Sequence, residues 1–355
     1  MGRTGIEWTD ETWNPIRGCT RVSEGCRHCY AEQQAARIVR MGDGKPTPYD
    51  GLVKLVGPDK EPRWTGVVSF VPDVLSVPLR RKKPTRYFVN SMSDLFHESL
   101  SNEQIAAVFG VMAACHQHTF QILTKRARRM REWFEWVERE AAKAGPGAEV
   151  MLCVDCADEH DVLGERFVIS PPWPLPNVWL GVSVENQAAA DERIPELLRT
   201  PAAVRFLSCE PLLGPVNLAA WLPGEDECQS CGATSPAVDG DACPACGEID
   251  HLVRVVDGEA AERVGSLHWV IAGCESGPGA RPADSSWYRA LRDQCAEAGV
   301  AFFLKQATEE GTWAGDNEHE QTVLCGPGSH RKPGGVIGAP YLDGVQHLAF
   351  PAAKP

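Results

Sequence analysis

The sequence contains no run approaching the roughly 20 apolar residues that span a bilayer. Its opening, MGRTGIEWTDETWNP, has no apolar segment of the kind a secretion signal uses. Neither a membrane protein nor an exported one is expected, and the chain reads as cytoplasmic. An excess of cations is also missing: the net charge is −13. A plain nucleic-acid binder is usually basic, because phosphate contacts dominate its affinity. That balance counts against simple polynucleotide coating. Two local basic runs stand out from it. One is Arg80, Arg81, Lys82, Lys83 and Arg86; the other is Lys125, Arg126, Arg128, Arg129 and Arg131. Each is either a solvated face or a phosphate-facing patch at one rim of the fold.

Cysteine is what the chain has in quantity, with 14 in 355 residues. In a reducing compartment that argues for metal before disulfides. The remaining composition, 43% hydrophobic and 23% charged, is ordinary for a globular protein. One main domain with insertions is expected.

Short apolar runs recur along the chain at Val67–Val71, Arg86–Asn90, Phe120–Leu123, Val178–Val184, Val204–Ser208, His268–Gly273 and Ala301–Leu304. Their length and Val/Phe/Ile content read as buried parallel strands. Thr12–Arg17 is a poor strand because Pro15 lacks a donor, but it serves as a short first strand or lead-in. Amphipathic stretches lie between the runs. Asn102–Gln117 has helical spacing, with Ser101 and Gln104 placed as a capping box. Ser285–Ala298 is another, stopped by Gly299. The alternation predicts an α/β fold, a full or partial TIM-like (β/α) barrel over residues 1–308. Insertions are expected at about 140–176 and 224–250, and a Gly/Pro-rich, irregular extension over 309–355.

Residues just past the strand runs are polar. They include Asp94, Lys125, Glu185, Asn186, Glu210 and Glu275, and in a barrel the C-terminal strand ends carry the active site. Polar strand ends also simply meet solvent. Asp94, Lys125, Glu185 and Glu210 are the candidate catalytic residues.

Cys19, Cys26 and Cys29 form a C-x6-C-x2-C motif inside GCTRVSEGCRHCY. Three thiolates on one loop can wrap a cubane iron–sulfur cluster and leave one iron without a protein ligand. The helix predicted over Ala31–Met41 would set a favourable N-terminus beside its negative charge. The alternative is zinc with His28 or a distant cysteine as fourth ligand. Cys228, Cys231, Cys243 and Cys246 make two C-x2-C-G knuckles, a zinc-ribbon pattern that predicts structural Zn2+, with a second iron–sulfur cluster or an empty ribbon as the alternatives. Cys153 and Cys156 are a half-site, equally readable as unliganded thiols. Cys115 and Cys295 fall in helical stretches and read as core. Cys209 and Cys274, at strand ends, either pack or face the mouth. Gly273–Gly279 is a glycine-rich loop in which Glu275, Ser276 and Gly277 would bind a cofactor through backbone donors, or merely make a tight turn. It is neither a dinucleotide fingerprint nor a P-loop. Trp8, Trp13, Trp179 and Trp269 read as core.

Ile6-Glu7-Trp8-Thr9, Thr12-Trp13-Asn14-Pro15 and the cysteine motif through Tyr30-Ala31-Glu32 resemble the phage Gp37/Gp68 family, a domain of unknown function. So do Asn90–Phe96, Leu123–Arg126, Gly181–Asn186 and Cys209–Leu212. That family is distantly similar to radical S-adenosylmethionine enzymes. The resemblance implies a TIM-like barrel, a [4Fe–4S] cluster on Cys19, Cys26 and Cys29, S-adenosyl-L-methionine on the open iron, and an electron donor. It also directs the first expectation for substrate to nucleic acid or a nucleotide. The sequence departs from the usual radical pattern in its six-residue first gap, in His28 at the customary aromatic position and in lacking a clear Gly-Gly-Glu string. The rival expectation is a non-catalytic zinc-binding protein that contacts nucleic acid.

Overall fold

The computed structural model describes residues 4–164, 171–223, 266–277, 279–308, 329–332 and 336–351. Within 224–265 it describes four strands, Glu225–Cys228, Thr234–Pro236, Leu252–Val256 and Glu259–Ala261. These pair as a separate antiparallel sheet. Cys231, Cys243 and Cys246 lie outside the described residues, and of Cys228 only the backbone is described, so the ribbon expectation falls there.

Seven strands run parallel: β1 (Glu11–Trp13), β2 (Arg86–Val89), β3 (Thr119–Thr124), β4 (Val178–Ser183), β5 (Val204–Cys209), β6 (Trp269–Gly273) and β7 (Ala301–Thr308). They stand in the sheet in the order of the chain. β8 (His330–Lys332) and β9 (Val336–Gly338) follow antiparallel, with β9 between β7 and β8. Strand order that never reverses gives no switch point and lets the sheet curl in one sense. The result is an open half-barrel, not a closed barrel.

The connecting helices are α1 (Tyr30–Met41), α2 (Asn102–Ala114), α3 (Ala127–Ala141), α4 (Glu149–Asp158), α5 (Gln187–Leu198) and α6 (Ser285–Glu297). α2 has the predicted capping box between Ser101 and Gln104. Strand residues alternate between two cores, as the two-residue period requires. Tyr87, Val89, Phe120, Ile122, Leu180, Leu207 and Val270 join the helices in the larger core. Phe88, Phe206, Trp269, Ile271 and Phe303 point the other way and pack with Trp8. The Trp8 ring lies 4.7 Å from Phe88 on β2 and 6.4 Å from Phe206 on β5. Strands three places apart in a flat sheet sit about 14 Å from each other, so this bridging ring reports the curl. Gly181 on β4 leaves room for it: a Cβ there would sit 2.5 Å from the Phe206 ring.

Three expectations are corrected. Val67–Val71 gives no strand of the parallel sheet; its Ser69–Phe70 pairs antiparallel with Ile16–Arg17 in a small separate sheet. The stretch holding Cys153 and Cys156 is not a loop-rich insert throughout, because both cysteines are buried on α4, which packs on α2. The tail after 308 supplies β8, β9 and a small hairpin, because its Val336 and Ile337 are apolar enough to continue the core.

Candidate ligand site at the mouth of the half-barrel

Above the aromatic floor the inner face turns polar. A cavity of about 380 Å³ opens there, at the C-terminal ends of the strands. It is lined from the sheet by Leu123, Ser183, Ser208 and Lys305. Beyond the strand ends come Asp94, Lys125, Glu210, Glu275 and Ser276. Cys19, Cys26 and Cys29 line the same space. Glu185, Asn186 and Gly277 do not. Asn186 caps α5 by accepting from Ala189 N at 3.0 Å, and Gly277 takes a φ of 99° that its turn requires.

The cysteine loop is tied to four places in the fold. Thr20 accepts from Arg126 Nη2 at 2.7 Å, just past β3. Arg21 Nε donates to Glu32 at 3.1 Å, and buried Glu32 also accepts from Trp64 N at 2.9 Å. Gly25 lies against Glu185, just past β4, where a Cβ would sit 3.1 Å from the carboxyl carbon. Glu24 O accepts from Arg281 Nη2 at 2.9 Å, and Arg281 itself pairs with Glu275 past β6. Gly18 bridges to Ser93 at a φ of 84°; a Cβ there would strike the Val67 carbonyl. Cys29 is the N-cap of α1. Such a loop is held open for a ligand before the ligand arrives, which lowers the ordering cost of binding.

Burial, with the Asp94 carboxylate, pushes the Cys19 thiol up to about 12, against the opposing pull of Arg126. Burial also raises Cys29. These thiols are neutral at pH 7 until a metal displaces their protons. Among the described residues, no three His, Cys, Asp or Glu side chains converge as ligands to a single ion would. A tetrahedral zinc needs ligands at about 2.0–2.3 Å from one centre. Three thiols on one loop lining one cavity are a donor set that an iron–sulfur cluster could use, with one iron left open to the cavity.

The predicted acids are already engaged. Asp94 accepts from Thr124 Oγ1 at 2.7 Å, Phe96 N at 3.0 Å, Lys125 N at 3.2 Å and Arg126 Nη1 at 3.0 Å. Glu185, 1% exposed, pairs with buried Arg193 at 2.8 Å. Burial opposes its charge, but Lys125 and Arg193 together hold its carboxyl below the usual range. Glu210 pairs with Lys305 at 2.6 Å and accepts from Gln306 at 3.1 Å. Lys125 differs: its ammonium has no ion-pair or hydrogen-bond partner among the described residues.

The sequence places Lys305 and Gln306 at a strand end without assigning them a role, and it gives no sign of Lys332. Lys332 reaches the cavity from β8, donating to Glu7 and to Gln306 Oε1, both at 2.9 Å. The lysine of the Ala301–Leu304 run's end was visible as a strand-end residue; Lys332 carried no signal, because an irregular-looking tail hid the strand. Cys274 lines the cavity while Cys209 packs in the outer core. Trp8, Trp13 and Trp269 are core as expected. The two basic runs do not form one patch. Arg80–Arg86 precedes β2 and Lys125–Arg131 follows β3, at opposite ends of the sheet, and Arg81, Arg86, Arg126 and Arg131 are ion-paired.

Fold and site thus define an α/β half-barrel with a three-cysteine loop at its mouth. The chain belongs to a family described as proteins of unknown function, DUF5131, which matches residues 3–351. No curated protein and no solved structure matches it. No described helix is long and apolar enough to cross a membrane.

Proposed function

We propose that the protein is a radical S-adenosylmethionine-type enzyme. Cys19, Cys26 and Cys29 would hold a [4Fe–4S] cluster, and S-adenosyl-L-methionine would enter the cavity beside it. The observation that carries this reading is that all three thiols line one mouth cavity on a loop anchored to four parts of the fold. The chemistry such a cluster supplies when bound is one electron to the sulfonium, which splits into methionine and a 5′-deoxyadenosyl radical that takes a hydrogen atom from substrate.

The chain's own residues do the rest. Trp8, Phe88 and Leu123 make the apolar floor of the cavity, which would limit water around a bound ligand from below. Lys125, unpaired, receives an anionic group, a carboxylate or phosphate. Asp94, Glu210 and Glu275, each neutralised by a cation, orient backbone and side chains around the ligand. A nucleotide or an extruded nucleobase is the substrate class proposed. Its support is the cavity's small-molecule size and the Lys125 ammonium, which no hydrogen bond or ion pair occupies among the described residues. Residues 1–143 add to this, carrying 22 Lys and Arg against 17 Asp and Glu, whereas residues 144–355 carry 13 against 31. An external one-electron donor re-reduces the cluster. The C-x2-C-G pairs of residues 228–246 would hold structural Zn2+.

The test is anaerobic purification with metal analysis. Brown protein with about four irons per chain and absorbance near 400 nm is expected. Replacing Cys26→Ala should abolish iron loading and leave zinc bound. Colourless wild-type protein carrying only zinc after anaerobic reconstitution would sink the enzyme reading in favour of a zinc protein. Loaded protein that releases no 5′-deoxyadenosine with a reductant would remove the radical step and keep the cluster.

A further inference from the structure

Arg126 occupies an unusual position for a charged residue. Its side chain is 4% exposed, just past β3 and under the cysteine loop. All of its guanidinium nitrogens are used. Nε donates to Glu98 at 2.9 Å, Nη1 to Asp94 at 3.0 Å, and Nη2 to Thr20 Oγ1 at 2.7 Å and to the Thr20 carbonyl at 3.3 Å. Nη1 also points at Cys19 Sγ, 3.8 Å away. Burying a guanidinium is costly unless its partners repay it. Here two acids do so, and the fork is left bridging a carboxylate and a sulfur. Lysine has one nitrogen and cannot span Glu98, Asp94, Thr20 and Cys19 together.

We infer that Arg126 is a positioning residue for the Cys19 ligand, whose fixed positive charge beside the sulfur raises the reduction potential of a cluster held there. The inference rests on the cluster reading above and adds a residue that reading does not need for ligation. Reduction adds one negative charge to the cluster. A cation close to a ligand sulfur stabilises that added charge more than the oxidised form. Removing Arg126 also leaves Asp94, part of the same buried group, without its counter-charge near Cys19. Both changes disfavour reduction. The exposed acid Glu98 is screened by solvent and offsets the guanidinium less.

The experiment is a reductive titration of the full chain, reconstituted anaerobically, with iron counted in each sample. Arg126→Gln should keep about the wild-type iron content. Its one-electron reduction equilibrium should fall about tenfold, a potential lower by about 59 mV. Arg126→Lys keeps the charge and should stay nearer the wild-type potential than Arg126→Gln. Should Arg126→Gln fail to fold with Asp94 unpaired, Asp94→Asn reads the same field with the opposite sign. It retains Arg126, removes the neighbouring negative charge, and should raise the potential. Full iron with an unmoved potential in a folded Arg126→Gln or Asp94→Asn protein overturns this inference alone. Wild-type protein that takes up no iron overturns it together with the reading on which it rests.

Discussion

Lys305 donates to both carboxylate oxygens of Glu210, at 2.6 and 2.9 Å, tying β7 to the end of β5 across β6. Gln306 and Lys332 extend the link to Glu7 near the N-terminus. The pair is partly exposed, 16% and 17%, so it lies between a surface bridge and a fully buried one. Glu210→Gln keeps the shape and leaves Lys305 without its counter-charge in the cavity wall. A loss of about 1–3 kcal/mol is expected, above the exposed-pair range and below the buried one. Urea unfolding measures it as a lower midpoint at constant slope. An unchanged midpoint would make the pair incidental.

Lys125 lines the cavity with no hydrogen bond or ion pair to its ammonium among the described residues, although its charge acts on Glu185. Lys125→Ala removes one of the two cations that favour the charge of buried Glu185 and leaves the other, Arg193, in place. Stability should fall by no more than about 1 kcal/mol, because Arg193 still pairs with Glu185. Binding of S-adenosylmethionine or a nucleotide should weaken about tenfold, the loss of one charge-assisted contact worth about 1.4 kcal/mol. Calorimetric titration of the reconstituted protein checks this. Equal affinities would show that the anionic group sits elsewhere.

Six of the seven parallel strands were legible because their runs are apolar on both faces, which a parallel sheet between helices and an aromatic interior demands; Val67–Val71 read the same way and does not join that sheet. β1 was harder to read. Glu11–Trp13 is three residues long and lies beside Pro15, and its place is fixed by pairing with Tyr87–Val89, a contact 76 residues away. The mouth was legible as polar strings after each run. Which of those strings remain available to a ligand was not. Asp94 and Glu185 read as catalytic carboxylates, yet their partners Arg126 and Arg193 are met only through folding. Arg126 stood in plain view within a basic run, where its neighbours made it look solvated. α4 was missed because Cys-x2-Cys reads as a metal knuckle, whereas on a helix the same spacing puts both thiols on the face that packs against α2.

His97 makes stability depend on pH. Its Nδ1 accepts from Ser99 N at 3.1 Å, so Nε2 carries the proton and donates to Thr20 Oγ1 at 2.9 Å. Burial, helped by Arg126, holds its pKa below the usual value. The unfolded chain then takes up the proton first as pH falls. The stability His97 contributes is complete above an unfolded pKa of about 6.5 and is lost as pH falls below it toward the folded value. The expected decline is at most about 1.4 kcal/mol per pH unit. His97→Gln can still donate to Thr20 and does not titrate. It should flatten the stability profile between pH 7 and 5, read by urea unfolding at each pH. An identical slope in wild type and variant would assign the decline to other groups.

Gly110 sits in the middle of α2 where α4 crosses it. A Cβ there would press into the backbone carbonyl of Cys153, with the carbonyl carbon at 2.7 Å and Ala157 Cβ at 2.9 Å. Two effects compete in Gly110→Ala. Alanine in a helix interior is favoured over glycine by about 1 kcal/mol. Against that, helices held in close backbone contact must separate, and overpacking a tight core costs about 1–3 kcal/mol or more. The obstacle is main chain, which no rotamer change can move, so the second effect wins. Thermal unfolding should show a net loss of about 1–2 kcal/mol. Adding Ala157→Gly removes the side-chain contact and leaves the carbonyl, and it costs helix propensity in α4. It should therefore fail to rescue. Recovery of stability in the double variant would mean that Ala157, not the Cys153 carbonyl, sets the approach of the two helices.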